Sequence, residues 1–298
     1  MSIIVTVCIF GLYVFLSSTQ TEIVPHIKGH LCPDWTGRLG NLMFQYASLF
    51  GIAKRNDMVL TIHEDDEITS VFDNLFALKL NNNSVCEHAQ TWGEMEPCLY
   101  DILAATIPSN RNVKQMSLLQ SWKYFNHVEQ AIKEQFRFNQ KIESKCQKML
   151  NDAIIAFTSI HTKIPVEKLQ VVGIHIRRGD YLDKDKIAHG YQTADEEHIK
   201  KSINYFRSKF NYVLFLAYTS YYWKDLLWRE KHLVGSDVVR MRVNSPEVDI
   251  CVLSKCNHSI ITVRSFGWWA ACFANGTTIY YKNVAKLTVS IEMILAKT

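Results

Sequence analysis

Several common chemistries are missing from this chain of 298 residues. It contains no Cys-x-x-Cys pair, no zinc-finger spacing and no Gly-x-x-x-x-Gly-Lys loop. Those absences exclude a zinc ribbon, a thioredoxin-like redox motif and a P-loop nucleotide site. A formal charge of +4 is too small an excess to argue for nucleic acid, though it suits a local anionic ligand. With 21% charged and 48% hydrophobic residues the balance is that of a globular protein, and neither an internal repeat nor a low-complexity linker is present.

What is there begins with an apolar run, Ile3 to Leu16, followed by the polar segment Ser17 to Glu22. Fourteen residues are short for a membrane span, which needs about 20. The length and the small residues after it suit a signal peptide or a short signal anchor, although no positive charge precedes the run. Either reading sends the rest of the chain into the secretory pathway. Asn-x-Ser/Thr sequons at Asn82, Asn257 and Asn275 agree with that address. Of eight cysteines, Cys8 lies in the apolar run, leaving seven, an odd number for disulfide pairing.

Asn41 to Asn56, "NLMFQYASLFGIAKRN", has the apolar spacing of a helix with one broad buried face, and Met58 to His63 reads as a strand after it. From Asp65 to about Pro165 the pattern is mostly helical or irregular, with amphipathic helix expected over His127 to Leu150. Beyond that, strands are expected at Val171–Ile176, Tyr212–Ala217, Val238–Val243, Ser259–Val263 and Thr278–Tyr281, and helices at Ala194–Phe210 and Phe266–Phe273. Strands alternating with helices imply a largely parallel sheet flanked by helices. The reading divides the chain into residues 1–20, an N-terminal α/β half over 21–165 and a C-terminal α/β half over 166–298.

Three stretches carry possible chemistry. "GRLGN", Gly37 to Asn41, sets two glycines before a helix, where backbone N–H groups can approach an anion; a plain helix-entry turn is the commoner use. "VVGIHIRRGDY", Val171 to Tyr181, runs a buried strand into paired arginines, which are poor residues to bury without an anion. The simpler alternative is an arginine paired with Asp180. In "SPEVDICVLSKCNHSIITVRSFGWWAA", Ser265 stands where a helix N-cap or a phosphate ligand would stand, and Asp249 either meets a base edge or starts a helix.

In this order and company the three stretches resemble the GDP-fucose-dependent α-1,2-fucosyltransferases, glycosyltransferase family 11, from Asp34 onward. The resemblance implies a GT-B-like pair of Rossmann-like α/β halves, with acceptor on the N-terminal half and GDP-fucose on the C-terminal half. It also implies inverting transfer of L-fucose to the 2-hydroxyl of a terminal galactose on a glycan. A Golgi membrane setting follows from it, single-pass type II with a lumenal catalytic domain, or secretion if the N-terminal segment is cut. The donor side would comprise His175, Arg177, Arg178, Asp249, Ser265, Phe266, Gly37 and Asn41. No Asp-x-Asp stands on a plausible strand end, so arginine would replace a metal at the leaving diphosphate, with Arg177 on the β-phosphate. No metal and no nucleic acid are expected. Asp180 and His189 are the candidates for the base that takes the acceptor's proton. Two positions depart from the family pattern: Leu42 stands where a glutamine is usual, and Arg264 where a smaller residue is usual. They leave open a transferase of another linkage, or a binding protein that has lost turnover.

Overall fold

The computed structural model describes residues 28–82, 84–188, 192–262 and 264–281. The apolar run and the 1–20 segment lie outside these residues, as does His189. Among the described residues no helix is long and apolar enough to cross a membrane.

The first half runs β1 (His30–Pro33), α1 (Leu39–Arg55), β2 (Val59–His63), β3 (Leu78–Leu80), α2 (Ser84–Glu87), β4 (Gln90–Trp92), α3 (Ile102–Ala105) and β5 (Val113–Gln115). Its five strands form a sheet in the order β3-β2-β1-β5-β4, every pairing parallel. Two further helices follow, α4 (Glu129–Gln135) and α5 (Gln140–Ile160). The second half contains β6 (Gln170–Ile176), α6 (Lys184–Ala188), α7 (Glu196–Lys209), β7 (Val213–Thr219), α8 (Trp223–His232), β8 (Val238–Arg240), α9 (Pro246–Ser254), β9 (His258–Ile261), α10 (Arg264–Ala274) and β10 (Thr278–Tyr280). Its sheet, β10-β9-β6-β7-β8, is again entirely parallel. Two parallel-sheet α/β halves are the architecture that the sequence leads one to expect.

The region from Asp65 to Pro165 is richer in strand than its pattern suggests. β3, β4 and β5 are only three residues long, and β3 and β4 are exposed sheet edges carrying Lys79 and Gln90. Short, polar edge strands lack the alternation that marks a strand in sequence. By contrast β6 and β7, in the middle of their sheet, are covered on both faces and read as nearly continuous apolar runs. Val172, Ile174 and Ile176 pack into one hydrophobic cluster with Ile199 and Phe206 of α7.

The two halves meet through aromatic rings. Trp268 and Trp269 of α10 lie 4.8 and 5.2 Å from Phe44 of α1, and Trp269 also stacks on Phe125 at 5.6 Å. Both tryptophans are buried, and burying a ring of this size is worth about 4–6 kcal/mol before entropy is charged. Disulfides join Cys32 to Cys86 and Cys146 to Cys251, the second tying α5 to α9; Cys98, Cys256 and Cys272 are free thiols.

Candidate active site

Parallel sheets place all their strand-to-helix turns at one edge, and here those edges face each other across the junction of α1 and α10. In the second sheet the chain runs from β6 to β7 and β8 on one side, then returns to β9 on the other. The crevice between the ends of β6 and β9 is therefore the topological switch point, where open α/β sheets bind ligands. β6 delivers Arg177 and Arg178 to it, and β9 delivers Thr262, Arg264 and Ser265.

Arg177 is held from both ends. Its backbone N–H donates to Thr262 Oγ1 at 2.9 Å, and its Nη2 donates to Asp180 Oδ1 at 2.8 Å. Arg264 takes the other oxygen, Nη2 to Asp180 Oδ2 at 2.7 Å. Asp180 thus holds Arg177 and Arg264 on one carboxylate. Burial alone would raise its pKa, but the charges of Arg264 and Arg177 outweigh that and hold it below the usual range. Arg178 turns the other way, donating to the Ala194 carbonyl at 3.0 Å, with its guanidinium 4.8 Å from the Trp228 ring centroid. The Nε atoms of Arg177, Arg178 and Arg264 are buried without a hydrogen-bond partner among the described residues. Each orphaned donor costs about 1–3 kcal/mol until something accepts from it. Arg264, the unusual residue of the sequence, belongs to this cluster and lies 4.4 Å from the Tyr181 ring centroid.

The loop after Arg178 is fixed by Asp225, a fully buried residue in the first turn of α8. Both its oxygens accept from the Gly179 N–H at 2.9 Å, and Oδ2 also accepts from Ser220 Oγ at 2.6 Å. Asp225 stands in no motif, and Thr262 lies inside the third stretch without being singled out there; their roles depend on partners 46 and 85 residues away.

His175 faces away from the Ile174–Ile176 side and packs against α10, its ring 4.9 Å from Phe266. Burial, reinforced by the nearby charge of Arg177, pulls its pKa down to about 3, so the imidazole is neutral. Its Nδ1 has no partner among the described residues. Ser265 differs from the expected cap: α10 already starts at Arg264, and the Ser265 hydroxyl donates to Asn41 Oδ1 at 2.7 Å. Gln120 Nε2 donates to the same oxygen at 2.7 Å, making Asn41 the polar joint between the halves. Gly37 has φ +90 and sits so close to Asn41 that a Cβ there would fall 2.1 Å from Asn41 Nδ2. Only glycine fits that turn. Asp249 hydrogen-bonds the entry loop of its own helix, accepting from the Asn244 N–H at 3.2 and 3.3 Å, and burial pushes its carboxyl up to about 7. Leu42 is buried in the core of α1, whereas the next turn supplies Gln45, whose amide clamps the Thr36 backbone at 3.1 and 2.7 Å.

The helices α1 and α10 start side by side, for a Cβ on Gly40 would lie 2.6 Å from the Phe266 nitrogen. Neither has an acidic residue in its first turn. Two uncompensated helix N-termini and a set of orphaned guanidinium donors make a site for a compact polyanion.

The family model for glycosyl transferase family 11 matches residues 8–292. The chain belongs to glycosyl transferase family 11. Galactoside alpha-(1,2)-fucosyltransferase 2 of Bos taurus is 25% identical to this family member over 281 residues, covering 87% of this chain and 73% of its own. Galactoside alpha-(1,2)-fucosyltransferase 1 of Sus scrofa is 27% identical over 287 residues, covering 92% and 74%. In fold, this glycosyltransferase is similar to the fucosyltransferase NodZ from Bradyrhizobium, with a TM-score of 0.51 at 14% identity, covering 82% of this chain and 92% of that one. It is similar too to POFUT1, solved in complex with GDP, with a TM-score of 0.51 at 9% identity, covering 86% and 99%. The GT-B-like arrangement of two halves is thus shared with other fucosyltransferases.

Proposed function

We propose that this family 11 protein transfers L-fucose, with inversion, from GDP-fucose to the 2-hydroxyl of a terminal galactose on a glycan. The observation that carries the reading is the set of buried, unaccepted arginine Nε–H groups at the switch point. A diphosphate leaving group would accept from Arg177 and Arg264 while the first turns of α1 and α10 supply further N–H donors. Charge that develops on GDP as the glycosidic bond breaks would meet positive groups already in place, which needs no reorganisation at the moment of reaction. His175, Phe266 and Asp249 would border the guanosine, Gly37 and Asn41 the donor loop. The names of the relatives, galactoside alpha-(1,2)-fucosyltransferases, supply the acceptor and the linkage.

The same reading has the arginines stand in for a metal ion, and it takes residues 1–20 as an anchor or signal that delivers the catalytic part to the Golgi lumen. The disulfides and the exposed sequon residues Asn82, Asn257 and Asn275 support a secretory address. Residues 21–165 would face the acceptor and 166–298 the donor.

The test is GDP release by the chain after about Thr21, given GDP-fucose, EDTA and galactose-terminated acceptors, for the wild type and for Arg177→Ala. Turnover that survives EDTA and disappears in the variant is expected. GDP binding without turnover on any acceptor would replace the enzyme reading by a binding protein, and turnover abolished by EDTA would overturn the metal-free mechanism.

A further inference from the structure

The site as described holds a leaving group but leaves the acceptor's proton without a destination. Asp180 is badly suited to take it. Both its oxygens are occupied by guanidinium groups, and it stands among the arginines that face the diphosphate. Inversion requires attack from the side opposite the leaving group, so the base belongs on the other wall of the cleft, in the first half.

That wall carries Glu94, two residues beyond β4, at the carboxyl-end edge of the first sheet. The carboxylate is half-buried and rigidly held. Oε1 accepts from the Tyr124 hydroxyl at 3.1 Å and Oε2 from the Leu119 N–H at 3.2 Å. Its backbone N–H donates to Ser117 Oγ at 2.6 Å. A carboxylate offers about four lone-pair directions, and these two contacts leave the others open to a ligand. Among the described residues no guanidinium or ammonium pairs with it; the titratable groups that face it are Tyr124, Asp101 and Cys98.

A chain of hydrogen bonds ties this wall to the donor loop. Cys98 Sγ donates to Gln120 Oε1 at 3.3 Å, Gln120 Nε2 donates to Asn41 Oδ1, and Ser265 at the start of α10 donates to the same oxygen. Three non-glycine residues with left-handed backbone mark this path: Cys98 at φ 67, Leu119 at φ 49 and Arg264 at φ 79. Backbone held in that region at bulky residues is stabilised only where the surroundings over-determine it, and such residues gather at ligand sites. Here two of them hold or flank Glu94, and the third orients an arginine across the cleft. Burial, aided by the charge of Asp101 and opposed by the Tyr124 and Leu119 hydrogen bonds, pushes the Glu94 carboxyl up to about 7. A carboxylate poised there takes a proton readily near neutral pH.

We infer that Glu94 is the general base that removes the proton from the acceptor hydroxyl. This rests on the fucosyl-transfer reading given above. In the step, the acceptor O–H proton passes to a Glu94 oxygen as the acceptor oxygen bonds to C1 of fucose. The bond from C1 to the β-phosphate oxygen breaks, and its electron pair leaves with GDP, where Arg177 and Arg264 receive the charge. The proton returns to solvent after product release.

The experiment compares wild type, Glu94→Gln and Glu94→Asp for fucosyl transfer across pH, with GDP affinity by calorimetry in parallel. Glutamine fits the same space: with its amide flipped, the carbonyl accepts from Leu119 and the NH2 donates to the Tyr124 oxygen. E94Q is expected to bind GDP as the wild type does and to lose about 10²- to 10⁴-fold in kcat, the range for a missing general base. E94D should retain part of that loss as activity, and the wild-type acid limb near pH 7 should vanish in E94Q. E94Q with wild-type kcat, or with its acid limb intact, overturns the inference while the transferase reading stands. GDP affinity lost in E94Q and E94D alike overturns it in favour of a structural role. A wild type that transfers fucose to no galactose acceptor removes the reading underneath and the inference with it.

Discussion

Replacing Arg177 by lysine keeps the positive charge and removes the geometry, which makes it the sharpest probe of the diphosphate site. Arg177 spends Nη2 on Asp180, and its Nε is buried without a partner. Nε and Nη1 thus remain for a ligand. Two charge-assisted hydrogen bonds at about 1.5–3 kcal/mol each predict that Arg177→Ala raises the Kd for GDP by about 10²- to 10⁴-fold. Lysine can recover one of them but not the planar fork, so Arg177→Lys should lose about 10- to 10²-fold. Folding is expected to suffer little in either variant, because Asp180 keeps Arg264 and an orphaned donor is removed. Calorimetric titration of GDP into the three proteins, with thermal melts of each in the absence of GDP, reads both quantities. If Arg177→Lys binds GDP within threefold of the wild type, the guanidinium is not gripping phosphate and the reasoning fails.

Other expectations follow from the same contacts. Gly40→Ala should lower the melting temperature and weaken GDP binding together, since its Cβ would lie 2.6 Å from backbone nitrogen of Phe266 and force the two helix starts apart at about 1–3 kcal/mol. Cys146→Ser with Cys251→Ser should lose up to about 4–5 kcal/mol in denaturant unfolding, because the bridge closes a loop with a sequence separation of 105. The carboxyls of Glu94 and Asp249 both lie at about 7 in the folded protein, against 4.5 and 3.8 for free groups. A raised carboxyl contributes stability that is present below its unfolded pKa and lost as pH rises through the folded value. The denaturant midpoint should therefore fall between about pH 4 and pH 7, and Glu94→Gln with Asp249→Asn should flatten that decline; a midpoint that rises over this window would refute it.

The strands of the second half and its helices α7 and α10 were legible in sequence, because β6 and β7 are central strands of a parallel sheet, apolar throughout, and α7 is amphipathic, whereas α6, α8 and α9 were not expected. The first half was harder. Its helix α1 stood out through the long apolar face, but β1, β3, β4 and β5 are three or four residues each, too short for a period to show. The candidate site divides in the same way. Arg177, Arg178 and Ser265 lie in compact motifs whose composition already suggests an anion. Gln120, Asp225 and Glu94 lie in no motif, and their meaning, like that of Thr262, comes from hydrogen bonds that span the chain.

By itself, then, the sequence determined the layered α/β architecture, the family and the positive character of the β6 end, since each is written in local periodicity or in a contiguous run of residues. That Arg264 stands beside Arg177 was decided by tertiary structure alone: the two, 87 positions apart by the difference of their numbers, share Asp180, while adjacent Arg178 turns to Ala194 and Trp228. The reason is physical. Neighbouring side chains at a strand end point in different directions, so adjacency in sequence separates them, and only the return of β9 beside β6 brings the second guanidinium into the site.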